Sequence, residues 1–452
     1  MPSLARAAVP LALAGLLAPP LAAAADAPSP RVAEVVAAVS PERLNATVAK
    51  LVSFGTRHTL SDPRNPARGI GAARSWIAAE LAALARDKGS RLQPFEDRFT
   101  AEAGPRIPRP TELVNVGAIL PGTDPARAKE AVVLTGHYDS RASDVLDATS
   151  DAPGAVDDAS GVALLMEVAR VLAKERPAIS LYLVAVAGEE QGLVGSAHLA
   201  RRLRAEGVDV VAMISVDIAG NIEGQDGVRD DTTARLFSEG VPAVESPAQK
   251  KVREAIGGEN DSASREWARY VARTAQRYVE NLDLWVMLRQ DRVARGSDNM
   301  SFAREGFTAI RLTETHEHYD RQHQDVRTVA GRSYGDDLAH YDARYAAKLT
   351  RALVASIAHL AAAPAPVKDL VLGGVVSTDT KLRFTLPPDP RIVGIVLYRR
   401  RADSVTWQRA TRYPRTDALV LKDVVPDNFT FAVATVDAEG NESLPAHPVK
   451  LE

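Results

Sequence analysis

The chain has 452 residues, with 55 Lys and Arg against 58 Asp and Glu, a net charge of −3 and no cysteine. The balanced charge and an aromatic content of 5% exclude a basic or base-stacking surface for nucleic acid. The lack of cysteine excludes disulfides, thiolate metal ligands and a Cys nucleophile, so a bound metal would have to rest on His and carboxylates.

Length alone implies about two to three domains. Residues 1–30, MPSLARAAVPLALAGLLAPPLAAAADAPSP, read as an export signal. Arg6 is the short positive start, Ala7 to Leu17 the apolar core, and Ala22 to Ala25 a small-residue cleavage site. Pro19-Pro20 interrupts the apolar stretch, which falls short of the roughly 20 residues that a span needs. The expectation is a signal over 1–25 and an exported protein, periplasmic or extracellular, with no membrane span once the signal is removed.

Residues 31 to 60 read as helical. Gly69 to Asp87 is an amphipathic helix, with Ala73, Trp76, Ile77, Leu81 and Leu84 at helical spacing. Leu113 to Leu120 and Ala131 to Gly136 are strand-like, with turn material at Pro121 to Pro125 between them. A helix starts at Ser160, with Val162, Leu165, Val168, Ala169 and Leu172 on its apolar face, and Pro177 stops it. Ile179 to Ala187 is a nearly continuous apolar run, as in a strand buried on both sides. Gly192 to Glu206 is helical and Val210 to Val216 is another buried strand.

This alternation predicts an α/β fold: a mixed, mostly parallel central sheet with helices on both faces. Ile222 to Gly296 is charged and less strand-like, with its best helix at Ser264 to Leu282, and reads as an insertion walling a site. Phe307 to Leu312 is a late strand and Tyr341 to Leu360 a long helix. After the linker at 363–367 the pattern becomes short alternating strands: Lys381 to Leu386, Gly394 to Tyr398, Ala418 to Leu421 and Phe429 to Val436. That predicts a C-terminal β-sandwich over 368–452. Trp407, and the strand Val433 to Asp437 before Gly440-Asn441-Glu442-Ser443, resemble a fibronectin type III domain.

Sites in such sheets lie at the carboxyl ends of strands. The strand at Ala131 ends in His137, with Asp139 two residues on. Asp157-Asp158, Glu189-Glu190 and Asp217 follow, the last two at strand ends, and a late stretch carries His316, His318 and His323. A carboxylate has two oxygens and can bridge two ions; further ligands complete each ion, and a water shared between them becomes a nucleophile. One of Asp157 and Asp158 can bridge. One of Glu189 and Glu190 can ligate while the other moves a proton. Asp139 can hold the imidazole of His137.

His137-Tyr138-Asp139, Asp157-Asp158-Ala159-Ser160-Gly161, Gly188-Glu189-Glu190-Gln191-Gly192 and Ser215-Val216-Asp217 resemble the zinc aminopeptidases of metallopeptidase family 28. The resemblance covers roughly 35 to 362, within a peptidase domain expected over 31–362. It implies two Zn²⁺ per chain, a bridging Asp157 followed by a cis peptide, Glu189 as general base and Glu190 as ligand. Asp217 then joins His137 on one ion, and the last His joins Glu190 on the other. His323, with Asp325 and Thr328, matches the family's His–Asp–Thr order better than His318 or His316, although the usual His-Thr-Pro wording is absent. Ser297-Asp298-Asn299 resembles a family Ser-Asp-His segment, with Asn299 in place of His. The implied substrate is a peptide with a free N-terminus, cleaved by a hydroxide bridging the two metals. The competing expectations are a carboxypeptidase or dipeptidase, for which Arg289, Arg292, Arg295 or Arg311 would bind the substrate carboxylate, and a non-catalytic binding protein that keeps the fold.

Overall fold

A computed structural model describes residues 28–452, so the expected signal at 1–25 lies outside the described residues. The chain opens with helices α1 (Pro30–Ala37), α2 (Pro41–Val52) and α3 (Ile70–Arg86). Strands β1 (Gln93–Ala101), β2 (Thr111–Leu120) and β3 (Glu130–His137) follow, then α4 (Ser160–Leu172), β4 (Ser180–Val186), α5 (Val194–Ala205) and β5 (Asp209–Val216). Next come β6 (Thr233–Ser238), α6 (Pro247–Ile256), α7 (Ala263–Tyr278), β7 (Asp283–Met287), α8 (Asn299–Arg304) and β8 (Ala309–Glu314). A hairpin of β9 (Arg327–Val329) and β10 (Arg332–Tyr334) precedes α9 (Ala343–Ala362).

Eight strands form one mixed sheet in the order β1-β2-β4-β3-β5-β8-β6-β7. Its middle, β4-β3-β5-β8, is parallel. β3 shows why helices cover both faces. Val132 and Leu134 join the core under α4 and α9, while Val133, pointing the other way, joins the core under α5. Burying such a side chain contributes about 1.5–3 kcal/mol, so a run apolar at every position is stable only when covered twice.

The structure adds elements that periodicity did not reveal. β1 is an edge strand of sequence QPFEDRFTA, largely exposed, and lacks an apolar run. The stretch read as an insertion supplies β6 and β7, which extend the sheet beyond β8.

Gly136, at the end of β3, sits where α4 begins. A Cβ there would lie 2.6 Å from the carbonyl carbon of Gly161. Gly136→Ala is expected to lower stability by about 1–3 kcal/mol, the usual cost of overpacking. A urea unfolding midpoint unchanged from wild type would contradict this close approach.

Beyond α9 lie β11 (Lys368–Gly373), β12 (Thr380–Thr385), β13 (Gly394–Arg401), β14 (Arg409–Pro414), β15 (Ala418–Leu421), β16 (Phe429–Val436) and β17 (Lys450–Leu451). They form two sheets, β15-β12-β11-β17 and β14-β13-β16. Leu382 and Phe384 of one sheet and Ile395, Leu397, Phe431 and Val433 of the other share a core.

The outer face of β14-β13-β16 meets α7. Glu266 of α7 accepts a bond from Trp407 Nε1 at 2.8 Å, faces His447 Nε2 at 3.1 Å and pairs with Arg269. Asp261 pairs with Arg269 and Arg400. Asp261, Glu266 and His447 lie close enough to hold a cation, but the two guanidiniums already supply the positive charge there. Burial would raise the Glu266 pKa, yet His447, Arg269 and Trp407 outweigh it and bring it to about 2. A depressed carboxylate stabilises the fold fully above its ordinary value of 4.5, and that contribution fades as pH falls towards about 2. Glu266→Gln is expected to destabilise the protein by about 3–5 kcal/mol at neutral pH, because it strands buried cations. The gap between wild-type and variant melting temperatures should narrow below pH 4.5; a gap independent of pH would refute the assignment.

Candidate metal centre

His137, Glu189-Glu190 and Asp217 follow or end the adjacent strands β3, β4 and β5, so the sheet order alone brings them side by side. His137 Nε2 lies 3.2 Å from Asp157 Oδ1 and 3.7 Å from Asp217 Oδ1. His323 Nε2 lies 3.1 Å from Asp157 Oδ2 and 3.3 Å from Glu190 Oε1. Asp157 thus turns one oxygen to each imidazole. Two trios result, His137–Asp157–Asp217 and Asp157–Glu190–His323, each with ligand atoms within 4.8 Å of one another.

Asp157 precedes α4, and the Asp157–Asp158 peptide is cis. Asp158 points away from the cavity: its carboxylate accepts from the His137 N–H at 2.9 Å and the Gly161 N–H at 2.8 Å. Between these neighbours, Asp157 is the one that faces both imidazoles.

Asp139 holds the imidazole of His137, more closely through its backbone carbonyl than through its carboxylate. His137 Nδ1 meets the Asp139 carbonyl at 3.1 Å, while the Asp139 carboxylate is 3.7 Å away. That carboxylate accepts instead from the backbone N–H groups of Glu189 at 3.3 Å and Glu190 at 3.1 Å, and from Thr59 Oγ1 at 3.0 Å. It therefore sets the turn that aims the two glutamates.

The other histidines lie elsewhere. His316 pairs with Asp226 at 3.0 Å, and His318 is in neither trio. In the Ser297-Asp298-Asn299 segment, Ser297 Oγ donates to Asp217 Oδ2 at 2.7 Å, whereas Asn299 bonds the Gln290 carbonyl. Burial, with Asp217 and Asp139 nearby, pushes the Asp298 carboxyl up to about 6.

The electrostatics suit a cation. Burial would lower the His137 pKa, but Asp158, Asp139, Asp157 and Asp217 hold it well above the usual imidazole range. Burial likewise opposes Glu190 and Asp157 at His323, which is raised to about 10. Glu190 Oε1 is buried and, apart from the His323 imidazole 3.3 Å away, has no hydrogen-bond partner, a state that costs free energy unless a positive charge is supplied. A donor set of imidazoles and carboxylates without thiolate fits Zn²⁺.

The family model for peptidase family M28 matches residues 115–340. A probable zinc metalloprotease of Leptosphaeria maculans is 38% identical over 93% of this chain and 97% of its own length. The chain belongs to peptidase family M28. A probable zinc metalloprotease of Pyricularia oryzae is 40% identical over 90% of the chain and 82% of its own length. In fold, this M28 chain is similar to the Legionella pneumophila LapA aminopeptidase, with a TM-score of 0.52 at 19% identity over 74% of this chain and 75% of that one.

Three residues support the M28 centre in ways the sequence did not reveal, and two of them, Asp336 and Arg57, were not singled out at all. Asp336 Oδ2 accepts from the N–H groups of Val156 at 2.8 Å and Asp157 at 2.7 Å. Arg57, fully buried, donates to the carbonyls of Tyr138, Pro153 and Gly154. Arg311, weighed above as a substrate ligand, lies beneath Asp217 instead, 3.2 Å from its Oδ2, and also pairs with Asp291 at 3.1 Å. An arginine within the apolar run of β8 was the available signal. Asp336 and Arg57 carry no local motif.

Proposed function

We propose that this M28 member is an exported zinc-dependent exopeptidase, most specifically an aminopeptidase. One observation carries the reading: Asp157 offers its two oxygens to two separate imidazole-containing trios. One zinc ion would rest on His137, Asp157 and Asp217, and a second on Asp157, Glu190 and His323. Bound zinc supplies a Lewis acid that polarises the scissile carbonyl and favours ionisation of water near neutral pH. The names of the curated relatives, probable zinc metalloproteases, support the choice of metal.

The remaining chemistry belongs to the chain's own groups. Glu189 lines the same cavity but belongs to neither trio. Burial, with Asp217, Glu190 and Asp298, raises its pKa well above the ordinary carboxylate range. A carboxylate so tuned takes a proton from the attacking water and returns it to the leaving amine. Asp139 keeps Glu189 aimed through the backbone bond already described. Ser297 and Arg311 fix Asp217, and Asp336 fixes the Asp157 backbone.

A carboxypeptidase or dipeptidase is favoured by a different observation, the presence of Arg292 and Arg295 in the cavity wall. A panel of amino-acid p-nitroanilides, repeated with N-blocked and C-terminally free peptides, separates the two. Cleavage that requires a free amine, with close to two zinc per chain, is the expected result. A requirement for a free carboxylate would move the assignment to a carboxypeptidase. Folded protein without zinc or turnover would refute both.

The export reading rests on residues 1–25; among the described residues no helix is long and apolar enough to cross a membrane. Residues 368–452 are read as a fibronectin type III-like domain, supported by the order of their strands, whose role is to brace α7.

A further inference from the structure

The cavity above the metal centre encloses about 630 Å³, and its wall carries five arginines, Arg106, Arg141, Arg292, Arg295 and Arg304. Most already have some partner, but few have a carboxylate of their own. Arg106 donates to the Glu190 carbonyl at 2.8 Å, and Arg141 donates to the carbonyls of Ala142 and Ser143 and lies 4.0 Å from Glu190 Oε2, a carboxylate of the metal centre itself. Arg292 and Arg295 both meet Glu317 Oε2, at 3.0 and 2.7 Å, while Arg235 takes its Oε1 at 2.7 Å. One carboxylate therefore serves three guanidiniums, and Arg292 shares its other acid, Asp291, with Arg311. Arg304 ends α8 on the rim, and among the described residues it meets no carboxylate within 4.0 Å.

The acidic floor does not neutralise this wall once the site is loaded. Asp157, Glu189, Glu190 and Asp217 carry four negative charges, which two Zn²⁺ ions balance. The loaded cavity is then strongly positive. Guanidiniums match a carboxylate in planar, two-point geometry, and a peptide substrate brings carboxylates as its anionic groups.

We propose that this cavity selects peptides with a carboxylate next to the scissile bond, bound by Arg295 and Arg304; the proposal rests on the peptidase reading above. Arg295 is placed for it, since its Nη2 lies 3.4 Å from Gln322 Oε1, beside His323. The carboxylate is either the side chain of an acidic residue or the free C-terminus of a short substrate. Leu193, Ile218 and Met300, which also line the cavity, take the aliphatic part of that residue.

The test compares isosteric peptide pairs, Glu against Gln and Asp against Asn, on either side of the cleaved bond, each with a free or an amidated C-terminus. The zinc-loaded full chain is expected to favour the acid by about tenfold or more in kcat/KM, the size of one charge-assisted hydrogen bond. Arg295→Gln and Arg304→Gln should each shrink that ratio, and added salt should shrink it too. Arg295→Lys, which keeps the charge, should restore part of it. A ratio that follows the side chain identifies acidic residues as the source; one that follows the free C-terminus identifies the chain end. Calorimetric binding of the same pairs to the Glu189→Gln protein gives a readout independent of turnover. Equal kcat/KM and equal affinity for acid and amide would overturn the proposal while leaving the peptidase reading intact. Absence of all cleavage by zinc-loaded protein would overturn that reading instead, and the calorimetric comparison would still decide the carboxylate preference.

Discussion

Glu189→Gln is expected to lower kcat by about 10²- to 10⁴-fold, the range for loss of a positioned general acid–base. The substitution keeps the shape of the side chain and removes its ability to carry a proton. KM should change little. Zinc content should stay at the wild-type level, because the two trios draw on Glu190 rather than Glu189. The geometry explains the division between neighbours. Asp139 accepts both of their backbone N–H groups, so the turn is rigid; one carboxylate is delivered to His323 and the other is left facing the cavity. Turnover of a leucine p-nitroanilide, with metal content measured on the same sample, checks both halves. A variant of near-normal rate would remove Glu189 from the mechanism; one that lost its zinc would place Glu189 among the ligands.

Asp157→Asn should have the larger effect on metal. It is the residue common to both trios, and an amide offers no negative charge to either ion. Changing groups that merely support a ligand typically costs about 10–100-fold in affinity, so loss of this one should cost on the order of 100-fold or more. Zinc content is expected to fall to one ion or less per chain and peptidase activity to the detection limit. Ligand linkage supplies a second readout. Zinc should raise the melting temperature of metal-stripped wild type and leave that of the Asp157→Asn protein nearly unmoved. Full zinc occupancy in the variant would sink the bridging role.

Much of the fold was legible because it depends on what each residue is. Continuous apolar runs at Ala131 to Gly136, Ile179 to Ala187 and Val210 to Val216 became β3, β4 and β5, and the helices between them began at Ser160 and near Gly192. Strands without such runs were not legible. β1 is mostly solvent-facing, and β6 and β7 sit in a charged stretch whose pattern resembles loops. Their place in the sheet comes from pairing of β1 with β2, of β6 with β8 and of β7 with β6, which no local window contains.

The candidate site divides in the same way. Residue identity and apolar patterning were enough to show which acids and histidines are available and that three of the stations follow or end parallel strands, because strand ends are written in the apolar pattern. The folded arrangement was needed to settle which carboxylate of Asp157-Asp158 faces both imidazoles, since Asp158 is drawn away by backbone donors from β3 and α4. It also decided that Asp139 aims the glutamates with its carboxylate while its carbonyl meets the imidazole, that Asp336 and Arg57 fix the Asp157 loop, and that five arginines share one cavity wall. Apolar burial is a property of single residues and their spacing, whereas hydrogen bonds and charge pairing depend on direction and distance between segments far apart in the chain.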